Sequence, residues 1–471
     1  MTRTVTRTGW AAALCLAASC VSVSASETIR VAIGHQSMCT DTYSGGIVVK
    51  ELKLLDKHLP KSGKYQKTKY EIDWKDYASG PPITNMMLAN KLDFGVMGDY
   101  PLIVNGSKFQ ETDSLRSVLV TMTGYNLHGS GNAIVVPAKS NIHSFADLKG
   151  KSVSVPVGSA AWGMLIKAMQ DLGLKSADMD IKNQSPPVGA ANIAENKIDA
   201  HADFCPWSEI MEFRGTGRKV YDGSEAGVPY LHGMVVRKDY AEKYPEVVAG
   251  VIKAIVEAGK WVEENPVRAA EMLEKWTGVE KEVQYLYFSR GGHLTLDPTI
   301  KAKWVDTLKY DHGVLTKWKM APALDVDKWV DDRYVRQAYK DLKIDYEKQR
   351  SAQLDPKQVL KGLSPAEIWH ARSGIATYPS IPEMLKVVKE AQATHQKINA
   401  TYVYDQVTGL KLFGKVAFYA EGPNGALLAF MRKTDADKHA EKSKGKVLTY
   451  AEALSGVKVA ATPANVASAS R

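Results

Sequence analysis

The sequence predicts an α/β protein built as two lobes, with a small α+β domain appended at its C-terminal end. Three observations lead there. Strand-like and helix-like stretches alternate from residue 27, the alternation restarts near residue 131, and the texture changes beyond residue 350. At 471 residues, and about 100–200 residues per domain, the chain is long enough for three units.

The first residues read as an export signal. Arg3 and Arg7 precede the apolar run WAAALCLAASCVSV and the small residues SVSAS, the order of a secretory leader. The small-x-small pattern at Val23-Ser24-Ala25 puts the signal peptide at 1–25 and the mature start at Ser26. An alternative is lipoprotein processing at Cys20. The run is shorter than the roughly 20 residues that a membrane span needs. Removing the leader takes two arginines and no acid from a formal charge of +9, leaving +7. Lysines are interleaved with acids, so the surface is solvated, without a nucleic-acid stripe. The mature chain keeps two cysteines, Cys39 and Cys205, which in an oxidising compartment form a disulfide or belong to a site.

Each element then follows in order. ETIRVAIG (27–34) alternates as a strand, GGIVVKELKLLDKHL has helical spacing, and YEIDWKDYAS is a second strand. PPITNMMLANK is a short helix and LDFGVMG a strand ending at Asp99-Tyr100-Pro101. After the restart come the strands SGNAIVVPA and SVSVPV, the helix AAWGMLIKAMQDLGL, the helix VGAANIAENK and the strand IDAHADF. GMVVRKDY returns to extended structure. PEVVAGVIKAIVEAGKWVEEN and PVRAAEMLEKW are two helices, the second with Pro266 in its first turn. Residues 301–350 are mostly helical. A linker falls at SAQLDPKQ (351–358), and 351–400 is expected as a helical linker segment that includes SPAEIWHARSG. Beyond it TYVYD, GKVAFYAEG, ALLAFM and GKVLTY are short strands, with TDADKHAEKS a helix.

The stretches ASGPPITNMMLANKLDFGVMGDYP (78–101), SFADLKGKSVSVPVGSAAW (144–162), AENKIDA (194–200) and PEVVAGVIKAIVEAGKWVEENP (245–266) occur in order. In them the first 350 residues resemble the periplasmic solute-binding proteins of ABC importers, in the nitrate/sulfonate/taurine group. The resemblance implies a type II clamshell. Its first lobe would be 26–125 plus 235–350 and its second 126–234, closing on a small, anionic ligand at the carboxyl ends of the strands. It also implies a periplasmic, monomeric protein whose partners are a membrane permease and its ATPase. TYVYD (401–405) and KVAFYAEGPNGALLAFMRKTDADKHAEKSKGKVLTYAEAL (415–454) resemble the NosL-like family, linked to copper delivery for nitrous oxide reductase, which places such a module at 401–458. Residues 351–471 contain no cysteine, so that family's Cys-x-Met copper motif is missing.

Several residues are candidates for ligand contact. Gly158-Ser159-Ala160-Ala161-Trp162 starts a helix whose unpaired N–H groups suit anionic oxygens, although a Ser at that place is also an ordinary N-cap. Ser79 offers a similar helix start, and Asp99 and Tyr100 end a strand at the expected cleft. Met38 and Cys39 follow the first strand, His128 opens HGSGN, and Cys205, Trp207 and His232 lie near the predicted opposite walls. His201, Asp203 and Cys205 share one face of IDAHADFC. Imidazole, thioether and thiol together suit Cu(I) or Zn(II), so His35, Met38, Cys39, Cys205 and His232 are the ligand set if a metal is bound. No cofactor is required by any motif, and copper is the candidate. Against that stands a plain reading of core Met and hydrogen-bonded His. No nucleophile elbow, Walker loop, dinucleotide fingerprint or His-Glu-x-x-His is present, and the chain is not expected to be an enzyme.

Overall fold

The computed structural model describes residues 1–2, 27–112, 115–354, 361–422 and 425–457. The expected leader and its cleavage point, Cys15 and Cys20, most of the 351–358 linker and the C-terminal tail lie outside the described residues.

Ten strands build the two lobes. They are β1 (Thr28–His35), β2 (Lys69–Asp76), β3 (Phe94–Gly98), β4 (Ser117–Asn126), β5 (Asn132–Pro137), β6 (Ser152–Val155), β7 (Asp180–Asn183), β8 (Ala200–Phe204), β9 (Gly217–Asp222) and β10 (Tyr230–Arg237). One sheet has the order β2-β1-β3-β10-β4 and the other β7-β6-β8-β5-β9. Each contains three parallel strands, then one strand antiparallel to them (β10 or β5), then an edge strand antiparallel to that one (β4 or β9). The matching orders explain why the hydrophobic pattern restarts: the same supersecondary unit is laid down twice. Strands β3, β4, β5, β8 and β10 are buried throughout, as expected for a sheet covered by helices on both faces.

The chain passes between the lobes at 127–131 and returns at 223–229. The two crossings touch. Gly129 has φ +91, and a Cβ there would sit 2.2 Å from the Val228 carbonyl oxygen, so only glycine fits. Asn126 organises the first crossing. Its Oδ1 accepts from the backbone N–H groups of His128, Gly129 and Ser130 at 3.0–3.2 Å.

GGIVVKELKLLDKHL is not one helix. It is two helices, Ile47–Glu51 and Leu54–His58, preceded by a 3-10 turn at Thr40–Gly45 and broken where Lys53 takes a left-handed conformation with φ 52. The long helix Pro245–Glu264 buries Val247, Val248, Val251, Ile252, Ile255 and Val262 along one side, a stripe at helical spacing. Pro266 stands in the first turn of Pro266–Thr277.

Beyond residue 360 lies a separate, smaller α+β domain. Its strands are β11 (Ala366–His370), β12 (Gly374–Tyr378), β13 (Ile398–Tyr404), β14 (Lys411–Phe413), β15 (Phe418–Glu421), β16 (Leu427–Phe430) and β17 (Val447–Leu448). They form sheets of order β12-β11-β13-β14 and β16-β15-β17. This corrects one expectation. In the described part of 351–400, SPAEIWHARSG supplies β11 and the turn to β12 in place of the expected helix, and a helix stands at Ile381–Ala393. β11 is buried against β13 on its other side, and that pairing outweighs the helical leaning of its composition.

The domain is seated on the first lobe. Tyr402 donates to the Glu282 carbonyl oxygen at 2.9 Å, and His293 Nε2 donates to the Lys411 carbonyl oxygen at 2.7 Å. Trp369, Tyr402 and Phe413 belong to the same buried apolar cluster as the two lobes.

Candidate functional site

The loop after β1 brings Cys39, Thr40 and Asp41 to the interface of the two sheets. From the other lobe Cys205 follows β8, and His232 comes in on β10 of the first. Cys39 Sγ lies 3.2 Å from Cys205 Sγ and 3.9 Å from His232 Nε2, and both cysteines are free thiols. Among the described residues, these three side chains are the His, Cys, Asp or Glu group that brings three ligand atoms within 4.8 Å of one another. All three are buried. The Tyr230 hydroxyl is 3.8 Å from Cys205 Sγ, and its ring meets the His232 ring edge-on, with centroids 4.3 Å apart.

Burial sets the charge states. It pushes the His232 imidazole down to about 3, so the ring is neutral. The Cys205 thiol is driven well up by burial and by the neighbouring Cys39. Asp41, buried beside them, is raised to about 7 by loss of water, partly offset by the Thr40 hydroxyl that donates to its Oδ1 at 3.0 Å. Its Oδ2 stands 3.3 Å from Nδ1 of the neutral His232 ring, off the line of a hydrogen bond. Asp99 is also raised to about 7 by burial, against two backbone donors, Tyr100 at 2.8 Å and Leu231 at 3.0 Å.

Helix starts surround this cluster. Ser159 caps the helix Ala160–Asp171, its Oγ accepting from the Trp162 N–H at 3.2 Å. The helix Gly80–Leu88 begins after Ser79, and Asp99–Gln110 begins at Asp99 itself. The two lobes meet here: a Cβ at Gly158 would lie 3.0 Å from Pro81, and one at Gly98 3.4 Å from Ala160. The cleft is shut. Asp99, Tyr100, Asn132, Met164, Tyr230 and Asp311 bound a residual cavity of about 30 Å³, enough for one or two waters.

The remaining candidates divide. Ser159, Ala160, Trp162, Asp99, Tyr100, Cys39, Cys205 and His232 come together at the lobe interface; Ser79 is half-buried at its edge. Met38 is half-buried, packed against the core. Trp207 is buried at the start of Trp207–Arg214, with no partner for its Nε1. His35 does not join the metal-type cluster. Its ring packs edge-on against Trp74 at 5.5 Å, and burial lowers it to about 4. His128 lies on the first crossing, turned toward Thr408 and Asp405 of the C-terminal domain. His201 and Asp203 share a face of β8, which ends at Phe204 before Cys205, and they make a closed chain inside the second lobe. His201 Nδ1 is 2.7 Å from Ser154 Oγ and Nε2 is 2.7 Å from Asp203 Oδ2, with all three fully buried. Gly189 packs directly on the imidazole, where a Cβ would sit 2.1 Å from the ring. The chain is structural.

Asp41 was not among the candidates read from the sequence. TDTYSGG carries no spacing that singles it out, and only the fold places its carboxylate behind His232. A second, larger cavity of about 610 Å³ separates the second lobe from the C-terminal domain, between Phe145 and Tyr221 on one side and Phe413 and Phe418 on the other. Its floor holds Lys219, which pairs with Glu209.

The profile of the NMT1-like family matches residues 27–275. The chain belongs to the NMT1-like family. A relative is the taurine-binding periplasmic protein of Escherichia coli (strain K12), 32% identical over 199 residues, which are 41% of this chain and 58% of that protein. The match thus spans less than two thirds of that relative's length. Two solved structures share the fold. The alkanesulfonate-binding protein SsuA from Xanthomonas axonopodis pv. citri, bound to MOPS, is 21% identical, with a TM-score of 0.55 over 65% of this chain and 100% of that one. The periplasmic aliphatic sulphonate binding protein SsuA from Escherichia coli is 23% identical, with a TM-score of 0.51 over 64% of this chain and 97% of that one. The family match ends at residue 275, short of the C-terminal domain, and at such identities the two structures speak to the fold alone. Among the described residues no helix is long and apolar enough to cross a membrane.

Proposed function

We propose that this chain is the periplasmic solute-binding component of an ABC importer. It closes its two lobes on a small anionic solute of the sulfonate or nitrate kind and presents it to a membrane permease and its ATPase. The observation that carries this reading is the interlobe cleft itself. Two sheets of the same strand order meet with the starts of Gly80–Leu88, Asp99–Gln110 and Ala160–Asp171 gathered at one place. Three helix N-termini turn positive dipole ends toward the place where an anion would lie, with the Tyr100 N–H already taken by Asp99 and the Trp162 N–H by Ser159. Membership of the NMT1-like family and the taurine- and sulfonate-binding relatives support the same class. Capture is then a population shift toward a closed state that the solute binds better.

The experiment is calorimetric titration and thermal shift of the chain from Ser26 with taurine, ethanesulfonate and nitrate. A rise in melting temperature with saturable 1:1 binding is expected; no response to any small anion would remove the anionic class. The leader at 1–25, a monomeric state and lobes of 26–125 with 235–350 and 126–234 belong to this proposal. So does a NosL-like C-terminal module, supported by the TYVYD and KVAFYAEG stretches and by the α+β architecture of the domain. Its missing Cys-x-Met leaves no thiolate there for copper. A second reading, metal handling by the cleft, is favoured by the convergence of Cys39, Cys205 and His232.

A further inference from the structure

We propose that Cys39 Sγ, Cys205 Sγ and His232 Nε2 form a three-ligand site for Cu(I) that clamps the second lobe onto the first. The inference rests on reading the interlobe cleft as the place of capture. It gives that place a cargo of definite chemistry.

The ligand atoms are already gathered. The two sulfurs are 3.2 Å apart and the nearer one is 3.9 Å from Nε2. A thiophilic ion takes sulfur at about 2.3 Å and imidazole nitrogen at about 2.0–2.1 Å. Placed among three such donors, it spaces the sulfurs by roughly 4 Å, so the thiols need to part by less than about 1 Å. Cysteine side chains reach that by small χ1 changes.

The donor set selects the ion. Two thiolates and an imidazole are soft ligands, which favour Cu(I) and Zn(II) over hard cations. Zinc in a buried protein site is almost always four-coordinate. Among the described residues no fourth His, Cys, Asp or Glu brings an atom within 4.8 Å of all three; Asp41 lies beside Cys205 and faces the remote nitrogen of His232, and three donors suffice for Cu(I). Binding involves no change of oxidation state. Two S–H bonds break, two Cu–S bonds form, both protons leave to solvent, and the product, one cation with two thiolates, carries a single negative charge.

The surroundings fit the same purpose. His232 turns Nε2 to the thiols and Nδ1 to Asp41 Oδ2 at 3.3 Å. The carboxylate stands behind the remote nitrogen without yet bonding it; a small rotation of the ring on metal binding brings Nδ1–H onto Asp41, the usual second partner of a metal-bound histidine, and leaves the Nε2 lone pair for the ion. Asp41 is thus a positioning residue. The site is split between lobes, with Cys39 and His232 on one and Cys205 on the other. An ion held by all three therefore exists only in the closed state, and its binding energy is spent on closure.

The test uses the chain from Ser26, C-terminal domain included, loaded anaerobically with Cu(I) against a chromophoric Cu(I) chelator. One equivalent is expected, with an X-ray absorption signature of two sulfurs and one nitrogen, a thiolate-to-copper ultraviolet band, and a smaller radius of gyration in solution scattering. C39S and C205S should each lose at least a hundredfold in affinity and fail to compact. D41N should lose about ten- to a hundredfold while keeping the two-sulfur, one-nitrogen signature. Circular dichroism of C39A, which places a small apolar side chain in the same buried spot, shows whether a loss is due to unfolding. The inference is overturned if the folded wild type holds no Cu(I), if C39S or C205S retains wild-type affinity, or if Zn(II) displaces Cu(I) at equal concentration. Taurine, ethanesulfonate and nitrate run in parallel separate the two claims. If an anion raises the melting temperature equally in wild type and C39S while copper is not held, the metal site falls and anion capture stands. If copper is held and no anion acts, the metal site stands and the anionic cargo falls.

Discussion

Gly163 and Tyr100 touch across the lobes. A Cβ at Gly163, in the helix Ala160–Asp171 of the second lobe, would lie 2.3 Å from three carbons of the Tyr100 ring at the start of Asp99–Gln110. The ring is itself held between buried neighbours, so it has little room to yield. Gly163→Ala should favour the isolated helix, where Ala exceeds Gly by roughly 0.5–1 kcal/mol. It should also strain the closed state by about 1–3 kcal/mol, the usual range for an overpacked methyl. The expected outcome is an unchanged or higher melting temperature without ligand, together with a loss of affinity of about five- to a hundredfold for whatever the cleft holds. Solution scattering should show a more open particle. Wild-type affinity in Gly163→Ala would mean that this contact does not gate closure.

Asp311 gives a pH dependence. It is fully buried, no well-aligned hydrogen bond reaches either carboxylate oxygen, and burial, reinforced by the charge of Asp99 and only partly offset by the nearby Tyr100 hydroxyl, drives its carboxyl well above the usual range. A carboxyl raised in the folded state is protonated there and ionised in the unfolded chain. The unfolded state then binds fewer protons, and stability falls as pH rises from about 4 toward the folded value. Asp311→Asn cannot ionise. It should match the wild type near pH 4 and exceed it by about 1–3 kcal/mol at pH 8, the scale of an unsatisfied buried group. Urea melts at both pH values measure this, and a difference independent of pH would reject the assignment.

Lys411 and Glu367 anchor the C-terminal domain. Their side chains, 2.9 Å apart, are almost fully buried. Lys411 Nζ lies 4.1 Å from the centre of the Tyr285 ring of the first lobe, and Tyr285 donates to Glu367 at 3.0 Å. Removing one partner strands a charge. Glu367→Gln should therefore cost about 3–5 kcal/mol, whereas Lys411→Met with Glu367→Leu should recover most of that loss. Limited proteolysis near residue 360 reports the outcome: rapid release of the domain in Glu367→Gln, and wild-type resistance in the double variant.

Much of this architecture is legible in the sequence, for physical reasons that also explain the exceptions. IRVAIG, AIVVP and SVSV are apolar runs of strand length between turn residues, and nothing else accommodates them. AEIWHA misleads because Ala, Glu and Ile suit a helix; it is a strand only because β12 and β13 flank it, which local composition does not carry. Lys53 breaks a helix by taking φ 52, a conformation that a lysine does not advertise. In the site, Cys39, Cys205 and His232 stand out as rare soft side chains at strand ends. Asp41 does not, since an acid in a loop is ordinary until burial places it behind an imidazole. The pairing of Cys39 with Cys205, 166 residues apart, depends wholly on how the lobes close.

That pairing has a chemical consequence that is independent of any cargo. Both thiols are free and buried, and they face each other across the cleft. Oxidation by diamide should therefore couple them within one chain, with loss of two hydrogens by mass and no dimer on a non-reducing gel. The bond would close a loop of 166 residues, for which the chain-entropy relation gives about 5 kcal/mol of stabilisation. A rise in melting temperature that dithiothreitol reverses is expected, together with loss of solute binding, because a covalent link across the lobes bars the open state that admits solute. Neither change should occur in Cys39→Ser or Cys205→Ser. Solution scattering completes the test: the oxidised chain should stay at the closed radius with or without solute. An oxidised chain that still binds and releases solute at the wild-type rate would show that entry does not require the lobes to part at these two residues.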